Sequence, residues 1–115
     1  MPQYNVIIYD RPDANRLEVR PKHFAGIPQL VEGGALLAGG AIFKDDSCLL
    51  DQFAGSWLHV EAENQQAVME ILKRDPYAVE GVWDLDNVII HPMTAAVRLP
   101  VRFPGVDEKM YQKTD

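Results

Sequence analysis

The sequence predicts an α+β domain of ferredoxin-like plan, β-α-β-β-α-β with a four-stranded antiparallel sheet, and three observations predict it. Two segments carry helical periodicity, one ending at Gly33-Gly34 and one spanning about Asn64 to Arg74. Four runs rich in β-branched and aromatic residues surround them, each bounded by turn-forming residues. Several of those runs carry large apolar groups on both faces, so both faces of the sheet need a cover.

Tyr4 to Tyr9 reads as the first strand, stopped by the turn residues Asp10-Arg11-Pro12-Asp13. In the helix that follows, Pro21 suits the first helical position, where its missing N–H costs nothing, and the apolar stripe runs through Phe24, Ile27, Leu30 and Val31 to the Gly33-Gly34 stop. Extending the helix backwards through Leu17 would bring Arg20 onto the inner face. Ala35 to Phe43 is the second strand, and Gly39-Gly40 inside it implies a bulge or the close approach of another backbone. A polar loop covers Lys44 to Ala54, Gly55 to Glu61 is the third strand, and Val82 to His91 contains the fourth.

Alternation along the strands sets Val6 and Ile8 against Ile7 and Tyr9, Leu58 and Val60 against Trp57, and Val88 and Ile90 against Ile89. With both helices on one face, the other face is expected to be covered by a second copy, a homodimer joined sheet to sheet. Residues 1–95 form the domain. Residues 96–115 form an extension broken by Pro100, Pro104 and Gly105, whose Val97, Leu99, Val101 and Phe103 favour packing of its first half.

At 115 residues with 47% hydrophobic and 24% charged content, this is one globular domain. The net charge of −6, with 11 scattered basic residues, argues against a nucleic-acid partner. No stretch is apolar for long enough to span a bilayer, and Met1-Pro2-Gln3-Tyr4 leads straight into a strand. The single Cys48 suits a reducing compartment, so the expected location is cytoplasmic.

Two segments put ionisable side chains where a helix buries apolar surface. Asp75 falls in line with Val68, Ile71 and Leu72, at the negative end of its helix, and therefore needs a cation or a donor. Arg20-Pro21-Lys22-His23 offers both, with His23 bordering Ile27 and Leu30. Two roles are open to His23: general acid or base, or a core-edge histidine bonded to a carbonyl. Asp75 either orients His23 or pairs with Arg20 to fix helix docking, and Arg20 in the functional version holds a developing oxyanion. Ser56 faces inward with Leu58 and Val60, towards a ligand or a partner in its own sheet. Tyr77 either walls the pocket or packs, and Trp57 and Trp83 suit the core or a dimer interface, with pocket lining as the lesser role. His23, His59 and His91 share no short ligand spacing, so no metal is expected, and the glycine pairs lack the setting of a phosphate loop.

Taken in order, Arg20-Pro21 with His23, Gly33, Gly39 and Gly40, Gly55-Ser56, Asp75-Pro76-Tyr77 and Gly81-Val82 resemble the YciI-like (YCII-related) proteins of the dimeric α+β barrel superfamily, over about residues 3 to 92. Gly81-Val82-Trp83-Asp84 looks similar to fungal members. The resemblance implies a dimer of ferredoxin-like units and a site round His23 and Asp75, with Arg20, Ser56 and Tyr77 near it. It attaches lyase chemistry, such as removal of chloride from hydroxylated aromatics, and its superfamily includes muconolactone isomerases. The expected function is a cofactor-independent acid/base enzyme of lyase or isomerase type. Its substrate would be a phenolic, lactone or similar oxygenated small molecule. The alternative is a non-catalytic dimeric module that binds a small molecule or assists an enzyme.

Overall fold

The computed structural model describes residues 1–101 and 103–106. The chain forms β1 (Gln3–Tyr9), α1 (Arg16–Glu32), β2 (Leu36–Phe43), β3 (Phe53–Glu61), α2 (Gln65–Arg74), the short α3 (Pro76–Val79), a 3₁₀ turn (Leu85–Asn87) and β4 (Ile89–Met93). The sheet order is β2-β3-β1-β4 with every pairing antiparallel, the expected ferredoxin-like plan with a short helix added.

Strand alternation decides the core. Tyr4, Val6 and Ile8 of β1 and Leu58 and Val60 of β3 point to the helix side, where they meet Val19 of α1 and Val68 and Leu72 of α2. Tyr77 and Trp83, each 1% exposed, close the same core from the segment after α2. Burying a valine, leucine or isoleucine here contributes about 1.5–3 kcal/mol.

The helix boundaries follow local chemistry. Asn64 caps α2 by accepting the Ala67 N–H at 2.8 Å. At the end of α1, Gly34 takes φ +83°, and the Gly34 and Ala35 N–H groups return to the Val31 and Leu30 carbonyls at 3.0 and 3.1 Å. That is a Schellman stop, which favours glycine at the left-handed residue. The helix starts at Arg16 rather than Pro21, so Pro21 and Pro28 both lie inside it. Asn15 precedes the first turn and bonds Glu18 at 2.8 Å, which places the entry one turn upstream of the proline.

Two glycines are demanded by their neighbours. A Cβ on Gly40 would lie 2.6 Å from the Trp57 indole nitrogen, so the close approach expected within β2 is by a side chain rather than a backbone, and the register shifts fall between Leu36 and Ala38 and between Ile42 and Phe43. A Cβ on Gly55 would lie 2.2 Å from the Ile8 carbonyl oxygen. Gly55→Ala therefore has to part β3 from β1, and is expected to lower unfolding stability by about 3 kcal/mol in urea titrations, at the upper end of ordinary overpacking costs.

The helix-free face carries Ile7, Trp57 and Ile89 in one cross-strand row and His59, Asn5 and His91 in the next. Ile7 and Trp57 are half-buried, whereas Ile89 is 36% exposed. Beyond β4, Val97, Leu99 and Val101 are 80–85% exposed, contrary to the packing their composition suggests. Phe103 does pack, meeting the Phe24 ring of α1 edge-on at 5.6 Å. Among the described residues, no helix is long and apolar enough to cross a membrane.

Candidate functional site

Asp75 stands at the junction of α2 and α3 with an extended backbone, φ −68° and ψ 139°, forced by Pro76 behind it. The turn aims its carboxylate back across the core. Oδ1 accepts the Tyr77 N–H at 2.9 Å, capping α3, and lies 2.7 Å from Nδ1 of His23, which is also 2.9 Å from Oδ2. The two side chains, 13% and 8% exposed, are held by elements 52 residues apart. A carboxylate only accepts, so the proton sits on Nδ1 and the Nε2 lone pair is left as the basic position. No described residue hydrogen-bonds Nε2.

Aromatic rings fix the imidazole in place. Tyr77 stacks on it at 4.0 Å and 17°, and Trp83 meets it edge-on at 5.9 Å. Burial raises the Tyr77 phenol above its ordinary pKa, against the pull of Arg16 and Arg20. Tyr77, 1% exposed, is thus packed behind the His23 ring.

Arg20 does not join the pair. Its guanidinium lies 4.5 Å over the Phe24 ring, and among the described residues it makes no ion pair with Asp75. The buried cation is Arg16, one helical turn earlier and absent from the sequence-based candidates. Arg16 pairs with Asp10 at 3.0 and 3.2 Å and donates to Ser56 Oγ at 2.7 Å. Its guanidinium also lies over the Phe53 and Tyr77 rings, at 4.9 and 4.6 Å. Ser56, 3% exposed, accepts a second bond from the Trp83 indole at 3.0 Å, so its hydroxyl is committed to the interior. Burial raises the Asp10 pKa above the usual carboxylate value, while Arg16 and Lys44 act to lower it.

Tyr77 contacts both His23 and Arg16, and so joins the His23–Asp75 hydrogen bond and the Arg16–Asp10 ion pair into one polar spine under the helix layer. The sequence signal for Arg16 is its place four residues before Arg20 and three before Val19, on the inner stripe, behind the Asn15–Glu18 pair. Among the described residues no group of three His, Cys, Asp or Glu side chains converges as a metal site would.

Comparison with known proteins agrees with this architecture. The sequence matches the YCII-related domain over residues 3–94. It is 31% identical over 101 residues to aspercryptin biosynthesis cluster protein B of Emericella nidulans, covering 84% of this chain and 65% of that protein. The chain thus spans a little under two thirds of that relative's length. It is 32% identical over 94 residues to fusaric acid biosynthesis protein 2 of Gibberella fujikuroi, covering 78% of this chain and 90% of that one. In structure it is similar to 5-chloro-2-hydroxyhydroquinone dehydrochlorinase of Burkholderia phenoliruptrix, solved with 2,5-dihydroxybenzoquinone. The TM-score is 0.59 at 23% identity, over 80% of this chain and 93% of that one, a likeness of fold. With the domain match covering most of its length, the chain belongs to the YCII-related domain family.

Proposed function

We propose that this protein is a cofactor-independent acid/base enzyme of lyase or isomerase type acting on a phenolic, lactone or similarly oxygenated small molecule. The observation that carries the reading is the His23–Asp75 bond at 2.7 Å, largely buried and braced by Tyr77, with Nε2 left without a hydrogen-bond partner among the described residues. Such an imidazole can take a proton beside a carbonyl or from a hydroxyl and return it to a leaving group or a neighbouring carbon. Asp75 holds the tautomer and offsets the positive charge that forms on the ring. Arg20, beside Phe24 and Pro21 in a groove of about 280 Å³, is the candidate to meet negative charge developing on substrate oxygen. Ser56 and Tyr77 act from behind, through Arg16, Trp83 and the imidazole.

The names of similar proteins support small-molecule chemistry: two belong to biosynthesis, and the structural neighbour removes chloride from a hydroxylated aromatic. Elimination or isomerisation suits a site with a base and no activated nucleophile. Mass-resolved turnover of hydroxylated aromatics, quinones and lactones tests the proposal, with His23→Ala as the comparison. Saturable binding without product in the wild type would favour a non-catalytic binding module.

The working unit in this reading is a cytoplasmic homodimer joined across the helix-free faces, in keeping with the exposed free thiol of Cys48. Ile7, Trp57 and Ile89 supply the apolar row, and Nδ1 of His59 is buried there with no hydrogen-bond partner among the described residues. Burial, with the charge of Arg98 nearby, lowers the His59 pKa and so disfavours a charge on this face. Trp57→Glu places a charge in this face and is expected to yield monomers by sedimentation; an unchanged dimer would put the interface elsewhere.

A further inference from the structure

A cavity of about 470 Å³ lies where the end of β1, the first turn of α1 and the β2–β3 loop converge, and neither His23 nor Asp75 lines it. Its charged lining comprises Arg11, Arg16 and Lys44 against Asp10 and Asp51, one positive charge in excess within a chain of net charge −6. Arg16 and Asp10 satisfy each other at the floor. Among the described residues Arg11 uses only Nε, on the Trp83 carbonyl at 3.2 Å, so both terminal nitrogens remain available. Lys44 is exposed at the rim, near enough for Asp10 to feel its charge. The walls are aromatic: Phe53, held by its stack on Phe43 at 5.2 Å, and Tyr9, 49% exposed.

We propose that this cleft binds an aromatic monoanion, with its ring against Phe53 and Tyr9 and its carboxylate held by Arg11 and Lys44. The volume lies within the range of small-molecule sites. Apolar walls with a few convergent charged groups are what such a ligand requires. A guanidinium with two free nitrogens offers a carboxylate a bidentate contact, and the lysine adds a mobile point charge. The floor pair is neutral overall, so the excess charge sits at the rim, where an anion arrives. Because the dyad is not part of the cleft, the inference stands or falls separately from the proposed reaction.

The test is titration of the intact protein with 4-hydroxybenzoate and with its neutral analogue 4-hydroxybenzamide, followed by backbone amide shifts in low salt. Expected is saturable binding of the acid at least tenfold tighter than of the amide, with shifts centred on Tyr9, Arg11, Lys44 and Phe53. The double variant Arg11→Gln/Lys44→Gln alters exposed side chains, and should cut affinity for the acid at least tenfold while leaving the amide unchanged. His23→Ala should bind the acid as the wild type does. Equal affinity for acid and amide, an unaffected double variant, the absence of saturable shifts in the millimolar range, or shifts centred on His23 and Asp75 would each overturn the proposal.

Discussion

His23→Ala is expected to reduce turnover by about 10²- to 10⁴-fold, the usual contribution of a positioned general acid or base. The loss should appear in kcat more than in KM, since Nε2 acts on the proton in flight and adds little to ground-state binding. Truncation also removes a ring stacked on Tyr77, so circular dichroism and sedimentation must show that the variant keeps its fold. Asp75→Asn is a sharper probe. An asparagine oxygen in the place of Oδ1 can still accept from the Tyr77 N–H and from Nδ1, but the amide removes the negative charge that offsets an imidazolium and sets a donor where Oδ2 lies 2.9 Å from Nδ1. Activity in Asp75→Asn should therefore fall while stability changes little. Full turnover in His23→Ala would remove the imidazole from the mechanism, whatever the substrate.

The second large effect concerns Arg16. Its side chain and that of Asp10 are 8% and 10% exposed, so Arg16→Ala leaves a carboxylate in the interior without its cation. Such a loss costs about 3–5 kcal/mol. It also strips one of the two donors from Ser56 and the charge lying over the Phe53 and Tyr77 rings. Urea unfolding should register the loss, and the double change Arg16→Met/Asp10→Asn should recover a substantial part of it, because no uncompensated charge then remains. A cost below about 1 kcal/mol for Arg16→Ala would mean that water screens the pair as it does surface ion pairs.

The fold was largely legible because patterning and punctuation agreed: alternation in β1 and β3, the Gly33-Gly34 stop and the helix from about Asn64 to Arg74 all recur in the structure. His23 and Asp75 were legible for a different reason, as charges on apolar stripes. Arg16 was not, since Pro21 is a strong start signal and drew the helix boundary past it, although a long helix packed on a sheet tolerates an interior proline. The second strand's glycines gave the right inference of crowding but not its source, because Trp57 reaches Gly40 through a cross-strand pairing that local sequence does not specify. The exposure of Val97, Leu99 and Val101 was likewise hidden, since composition says that a segment is able to pack and not that it has a surface to pack on.

Apart from the Arg16–Asp10 pair, the side-chain bonds in and beside the spine are long-range: Arg16 to Ser56, His23 to Asp75, Ser56 to Trp83, Arg11 to Trp83. No fragment of the chain contains both halves of the dyad until synthesis has passed Asp75, and the second donor to Ser56 arrives only with Trp83. A nascent or partly unfolded chain therefore lacks the pair, and in the proposed function the base is assembled only together with the Tyr77 and Trp83 rings that confine it.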